Sequence, residues 1–351
     1  MAKGGRAGGE RAVSTTRRTL LAGGAGTLGG LLLGAVGAAG CAASGPVPHH
    51  ELRLMVPNIP GGGYDYTART LAVTLSDAEL VEAVEVFNLT GGSGTVALTR
   101  LVHEAGNHRL LLQMGLGLVG SVNTHAERNP TRIADATPVA RLVDEAEAVI
   151  VAPDSPYRTL AALVSAWRDG ALRAGIGSRP GGPDHLALML TAEAAGIAPD
   201  DVRSAVYDGG GGLLAALLSH SVDFIMSGIS EYRHAIAAGE LRVLAVTGEQ
   251  PLAGLDAPTL RESGFDLAVT NWRGLLAPPG LSERDLAGTT AVLDALHATP
   301  QWRRALRDNG WTDSYLTGED FGRFLTAEDA RVSRLLNGFP PVTVAEGDAE
   351  T

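Results

Sequence analysis

Along this sequence one unit recurs and leaves few folds open: a short β-rich apolar run, a glycine cluster, then an amphipathic helix. Leu52-Arg53-Leu54-Met55-Val56-Pro57 enters Ile59-Pro60-Gly61-Gly62-Gly63-Tyr64-Asp65, and a helix follows with Ala68, Leu71, Ala72 and Leu75 on one face. Val84-Glu85-Val86-Phe87-Asn88 leads to Thr90-Gly91-Gly92-Ser93-Gly94-Thr95 and a helix through Leu98 and Val102, and Leu110-Leu111-Leu112-Gln113-Met114 to Gly115-Leu116-Gly117. After a strand-like stretch from Val139 to Val151 the pattern resumes. Residues 173–176 open on Gly177-Ser178-Arg179-Pro180-Gly181-Gly182-Pro183-Asp184-His185, residues 202–207 on Asp208-Gly209-Gly210-Gly211-Gly212, and residues 223–226 on Ser227-Gly228. Strands alternating with helices predict parallel sheets, here two consecutive α/β units that meet near residues 145–153. The C-terminal part reads as helical over 282–299, 300–309 and 319–336. In its last helix Phe321, Phe324, Leu325, Val332 and Leu335 form an apolar stripe interrupted by Glu328.

Charge and residue usage exclude several functions. The 351 residues carry a net charge of −11, and residues 1–40 hold five basic side chains against Glu10, so everything beyond them is more acidic still. Such a body repels phosphate backbones and anionic lipid, which argues against nucleic acid as a partner. Lys3 is the only lysine. Walker loops, Schiff-base chemistry and pyridoxal sites all need a lysine in the folded body, so no such cofactor is expected. The single cysteine, Cys41, precludes an intrachain disulfide and any cysteine-based metal site. His103 and His108 are five apart, where a zinc helix needs four, and no G-x-S-x-G elbow is present. Asp144, Glu145 and Glu147 read as a solvated acidic face, and His49-His50 as part of an exposed tether.

The N-terminus reads as an address. Arg17-Arg18 precede an uncharged run from Thr19 to Gly40, a twin-arginine leader, and Ala38-Ala39-Gly40-Cys41 is lipobox-like. The expectation is a signal peptide over 1–40, a lipid anchor at Cys41 holding the protein on the outer face of the cell membrane, a tether over 41–51 and a loose tail over 338–351. An uncleaved membrane helix is the other reading of the apolar run.

In open parallel sheets ligands sit beyond the carboxyl ends of strands, where glycine-rich turns pass the chain to helices. Each helix start offers unpaired N–H groups and about half a positive charge, enough to hold a carboxylate without a cationic side chain. In the first loop three glycines allow close backbone approach, and Asp65 is placed to cap a helix beginning near Tyr66. In the second, Ser178 offers a hydroxyl, Arg179 a cation at the mouth, and His185 either a structural contact or a ligand contact. In the third, Tyr207 adjoins a glycine nest, with Asp208 opposing a bound anion.

The ordered motifs resemble a known family. Val56 to Arg69, Asn88 to Gly94, Gly177 to Leu186, Tyr207 to Asp223, Ala238 to Thr247, Pro258-Thr259-Leu260 and Asn271-Trp272-Arg273-Gly274 together resemble the substrate-binding receptors of tripartite tricarboxylate transporters, the Bug or TctC type, over some 285 residues. Gly115 to Val122 and the Asn271 stretch look like the tricarboxylate branch. The resemblance implies a type II-like periplasmic-binding-protein fold: two α/β lobes joined by two crossing segments, with residues 52–148 beginning the first lobe, 149–247 forming the second and 248–337 returning to the first. It implies an extracytoplasmic, monomeric, non-enzymatic receptor that captures a di- or tricarboxylate between the lobes and delivers it to the membrane permease subunits. The ligand-binding set expected on both grounds is Ile59, Pro60, Gly61, Gly62, Gly63, Tyr64, Asp65, Gly91, Gly115, Gly117, Ser178, Arg179, Gly181, Gly182, His185, Tyr207, Gly209, Gly210 and Ser227. A lipoprotein sensor signalling to a kinase would share the fold. A periplasmic hydrolase using Ser178 or Ser227 with His185 is the enzymatic rival.

Overall fold

A computed structural model of the chain describes residues 49–124, 130–207 and 209–338. The expected leader, Cys41, residues 41–48 of the expected tether, Asp208 and the expected tail beyond 338 lie outside the described residues, whereas His49 to Glu51, also expected in the tether, belong to the first strand. Element order is β1 (His49–Val56), α1 (Gly63–Asp77), β2 (Val81–Asn88), α2 (Thr95–His103), β3 (Leu110–Gly115), α3 (Leu116–Thr124), β4 (Thr137–Val151), α4 (Leu160–Arg168), β5 (Arg173–Ile176) and α5 (Pro183–Ala194). It continues with β6 (Arg203–Val206), α6 (Gly209–Leu218), β7 (Phe224–Gly228), α7 (Arg233–Ala237), β8 (Arg242–Val246), β9 (Thr270–Ala277), α8 (Glu283–His297), α9 (Pro300–Asn309), β10 (Thr312–Thr317) and α10 (Gly318–Gly338).

The strands run β2-β1-β3-β9-β4-β7-β5-β6, with β10 and β8 also on β4. β4 is shared. Residues 137–146 pair with β9, and 140–144 also with β10, whereas residues 147–151 pair with β7 and β8. The result is the two-lobe α/β architecture of binding proteins, with β4 continuous from one sheet into the other.

Two expectations need correction. β1 with β2 and β3, and β5 with β6 and β7, are parallel, but β9 is antiparallel to both β3 and β4, so the sheets are mixed. The reason is topological: the chain coming back from the second sheet re-enters the first in the opposite direction. The C-terminal part is also not purely helical, since β9 precedes α8 and β10 is inserted between α9 and α10.

Strand alternation distributes apolar side chains to both faces of each sheet. In the first sheet Leu52, Leu54 and Val56 pack against Leu71, Leu75, Leu293 and Trp302, while Met55 turns to the opposite face with Leu98, Leu112, Trp272 and Phe321. In the second, Val149, Phe224 and Met226 pack with Leu163 and Trp167, and Ile150 and Ile225 with Leu213, Leu217 and Tyr232. Each such fully buried side chain contributes about 1.5–3 kcal/mol. The acid within the α10 stripe is accounted for: Glu328 is buried and bonds Arg331 one turn on.

Candidate functional site

A cavity of about 490 Å³ opens at the carboxyl ends of β1, β2, β5 and β7. Its walls are the turns that follow those strands together with the first residues of α1, α5 and α6. α1 and α5 begin behind glycine N-caps, Gly62 and Gly182, which have no side chain of their own to cap the helix. In α1 no capping side chain takes up the first-turn N–H groups, whereas in α5 Pro183 has no N–H and that of Asp184 is taken by Ser178 Oγ; both helix dipoles point at the cavity.

The first loop is held by a carboxylate turned away from the cavity. Gly61 has φ +86°, and its N–H donates to Asp65 Oδ2 at 2.9 Å. Asn88 Nδ2 donates to Asp65 Oδ1 at 2.9 Å, and Arg69 Nε to Oδ2 at 2.8 Å. Burial alone would raise the Asp65 pKa, but these three donors outweigh it and hold the carboxyl below its usual range. The expectation that Asp65 caps a helix near Tyr66 is thus corrected. α1 starts at Gly63, and Asp65 lies inside its first turn, bonding back to the loop.

The second loop follows the same plan. Gly181 has φ +88°, and its N–H donates to His185 Nδ1 at 3.2 Å. His185 is buried, and burial lowers its pKa to about 4, so at neutral pH it is an uncharged acceptor. Ser178 Oγ accepts from the Asp184 N–H at 3.1 Å, and Gly177 N–H donates to Asp184 Oδ2 at 2.7 Å. The hydrolase arrangement is not what these side chains build: the Ser178 hydroxyl and the His185 ring each secure their own loop.

Acidic groups meet one arginine at the floor. Arg273, on β9, is 2% exposed; its Nη1 donates to Thr67 Oγ1 at 2.7 Å and its Nη2 bonds Glu145. Glu145 also accepts the Ser230 N–H at 2.8 Å. Glu145 and Glu147 are 0% and 1% exposed, which overturns their reading as a solvated face. Two residues apart on β4, they point to the same side of the strand. Neither oxygen of Glu147 has a hydrogen-bond partner, and burial, with Asp184 and Glu145 adding to it, pushes this carboxyl well above the usual range. Burial, against the hydrogen bond from Gly177, pushes Asp184 up to about 6. Glu231 lines the cavity and is exposed as a residue; the partial loss of solvent where protein packs around its carboxylate, then Glu145 and Asp184, push it up to about 7, against Arg273. Tyr64 is pushed up to about 12 by burial; its oxygen accepts the Leu118 N–H at 3.0 Å.

Of the expected residues, Ile59, Gly62, Gly63, Tyr64, Gly91, Gly117, Ser178, Arg179, Gly182, Gly209, Gly210 and Ser227 line this cavity. Pro60, Gly61, Asp65, Gly115, Gly181, His185 and Tyr207 do not; Gly61, Asp65, Gly181 and His185 form the internal clasps of the two loops. Sequence reasoning missed Asp184, Glu231, Asn271 and Arg273, all of which line the cavity. Arg273 could have been found as a lone charge in an apolar run, and Glu231 as an acid three residues beyond a strand's Gly228 end. Among the described residues no group of His, Cys, Asp and Glu is placed to hold a metal, and no helix is long and apolar enough to cross a membrane.

Comparison with known proteins agrees with this architecture. Residues 67–339 match the model of the tripartite tricarboxylate transporter family receptor. A UPF0065 protein of Bordetella pertussis is 25% identical over 292 residues, covering 82% of this chain and 89% of its own. Among solved structures, MatC of Rhodopseudomonas palustris with bound malate superposes with a TM-score of 0.70 at 24% identity, covering 83% of this chain and all of its own. An adipate-bound protein of Rhodopseudomonas palustris gives 0.72 at 23%, covering 82% and 96%. The fold, the paired loops around one cavity and the family match over most of the body lead to one conclusion: this chain belongs to the receptor family of the tripartite tricarboxylate transporters, a family of solute-binding proteins rather than enzymes.

Proposed function

We propose that the cavity captures a small carboxylate, a di- or tricarboxylate, and that the loaded protein is recognised by the membrane permease subunits of a tripartite tricarboxylate transporter. The observation that carries this reading is the convergence of α1 from one lobe with α5 and α6 from the other on a single cavity of about 490 Å³, with glycine at the N-caps of α1 and α5. Backbone N–H groups and helix dipoles from two directions suit a ligand with an anionic group at each end. The malate and adipate found in structures of the same fold have that form. Arg273 adds little net attraction, because Glu145 already neutralises it.

In this reading residues 52–148 and 248–337 make one lobe and 149–247 the other, and a solute touching both favours their closure by its differential affinity for the closed state. The protein acts outside the cytoplasm as a monomer, exported by its twin-arginine leader and held by a lipid at Cys41. Thermal unfolding of the body with succinate, malate, adipate and citrate tests the binding step. A cognate solute at 100 times its Kd stabilises by about 2.7 kcal/mol and raises the midpoint by several degrees. A flat response to all four refutes the carboxylate reading.

A further inference from the structure

We propose that solute capture by this protein is proton-linked: an ionised carboxylate enters the cavity together with one proton, and Glu231 is the group that takes it up. The inference rests on the carboxylate reading above and adds to it. Its basis is position. A methyl group on Gly63, the first residue of α1, would stand 2.8 Å from Arg273 Nη2 and 3.6 Å from Glu231 Oε1, and one on Gly210, in the first turn of α6, would overlap Glu231 Oε2. The Glu231 carboxylate therefore lies between two of the helix starts that the solute's carboxylate is to occupy. Tyr232 fixes this side of the cavity, its hydroxyl donating to Gly210 O at 3.3 Å.

The groups facing Glu231 cannot offset a second negative charge there. β4 contributes Glu145 and Glu147, α5 contributes Asp184, and β9 contributes Arg273, whose guanidinium is engaged by Glu145 and Thr67. α1 contributes only the Tyr64 phenol, and Arg179 lies in the exposed part of the lining. Asn271, 6% exposed and lining the cavity, has an Oδ1 with no hydrogen-bond partner, an acceptor that a protonated group in the cavity can meet. Protonating Glu231 removes the like-charge contact and turns an acceptor into a donor facing the solute. The protein packed around its carboxylate and then the neighbouring acids raise the Glu231 pKa to about 7, against Arg273, so this proton is within reach at neutral pH.

Malate is a suitable probe, because both its carboxyls are ionised between pH 6.5 and 8.5. With the full chain, malate affinity falls as pH rises through this range, approaching tenfold per pH unit above about 7. Calorimetry at pH 8 in two buffers of different ionisation enthalpy shows uptake of close to one proton. Glu231→Gln keeps the shape and supplies a permanent donor. It flattens the pH dependence and binds malate more tightly than the wild type at pH 8.5. Malate binding that ignores pH in the wild type overturns the proposal, as does a Glu231→Gln variant that keeps the wild-type slope. Absence of binding by malate, succinate and adipate at every pH overturns the carboxylate reading, and this proposal with it.

Discussion

The first and second glycine loops are the same piece of backbone built twice, with the charge placed differently. Offset by 120 residues, Gly61 and Gly181 share φ near +87°, and the N-caps Gly62 and Gly182 share an extended conformation. In each, the first glycine donates its N–H to the side chain four residues on, Asp65 at 2.9 Å or His185 at 3.2 Å. The partners change with the acceptor. Asp65 is met by Arg69 and by Asn88 at the end of β2, while the matching positions around His185 are Met189 and Val206. Register agrees, since Val56 pairs with Asn88 and Ile176 with Val206. An anionic clasp is thus surrounded by donors and a neutral clasp by apolar side chains. The carboxylate missing from the second clasp stands one position earlier, at Asp184, where it lines the cavity; the first loop has Tyr64 at that place. One half of the cavity presents a phenol, and the other an acid.

The comparison breaks most severely if the charges are exchanged. His185→Asp places a carboxylate in a buried site without the donors that Asp65 enjoys, and the loss is about 4 kcal/mol in denaturant unfolding at pH 7. Adding Met189→Arg restores a measurable part, a coupling that a double-mutant cycle reads directly. Next in size is a pair of alanine substitutions at equal φ. At Gly61 a methyl group meets nothing within 4 Å, so Gly61→Ala costs only backbone strain, about 1 kcal/mol. At Gly181 it would meet Thr124 Oγ1 at 2.6 Å and Gly120 O at 3.1 Å, so Gly181→Ala costs about 3 kcal/mol. Equal losses would mean that the tight contact of this loop with α3 is not present in solution.

The two clasps also differ in acid response. The folded-state pKa of His185, about 4, lies below its ordinary 6.5, so the unfolded chain binds more protons between those values. The stability from this neutral clasp is full above pH 6.5 and is lost as pH falls toward about 4. Asp65 is also lowered, from 3.8, so its contribution persists until the pH drops below that value. Wild type and His185→Gln, which cannot titrate, therefore converge by about 2–3 kcal/mol between pH 6.5 and 4, whereas wild type and Asp65→Asn keep their separation over the same range.

Much of this was readable because glycine clusters after apolar runs have few structural meanings. The loops, the helices after them and the location of the cavity at strand ends follow from local pattern. The clasps were harder to see. Asp65 in a first turn is indistinguishable in sequence from a cap, and its true acceptor role depends on Asn88 arriving from another strand. Glu145 and Glu147 look like surface charges because strand alternation tells which residues share a side, not whether that side faces water. Glu145 is met in its buried place by Arg273, 128 residues away, on a strand whose antiparallel placement is set by the long return of the chain. β10 carries Asp313, Ser314 and Thr317, too polar a run to announce a strand before its pairing with β4 is known.

β4 is hydrogen-bonded on both flanks along most of its length, first within one sheet and then within the other. A joint of this kind bends as a leaf spring does, and it has no slack to take up. Any swing of the second sheet against the first must flex a strand whose neighbours resist it, so the travel should be short and the return elastic.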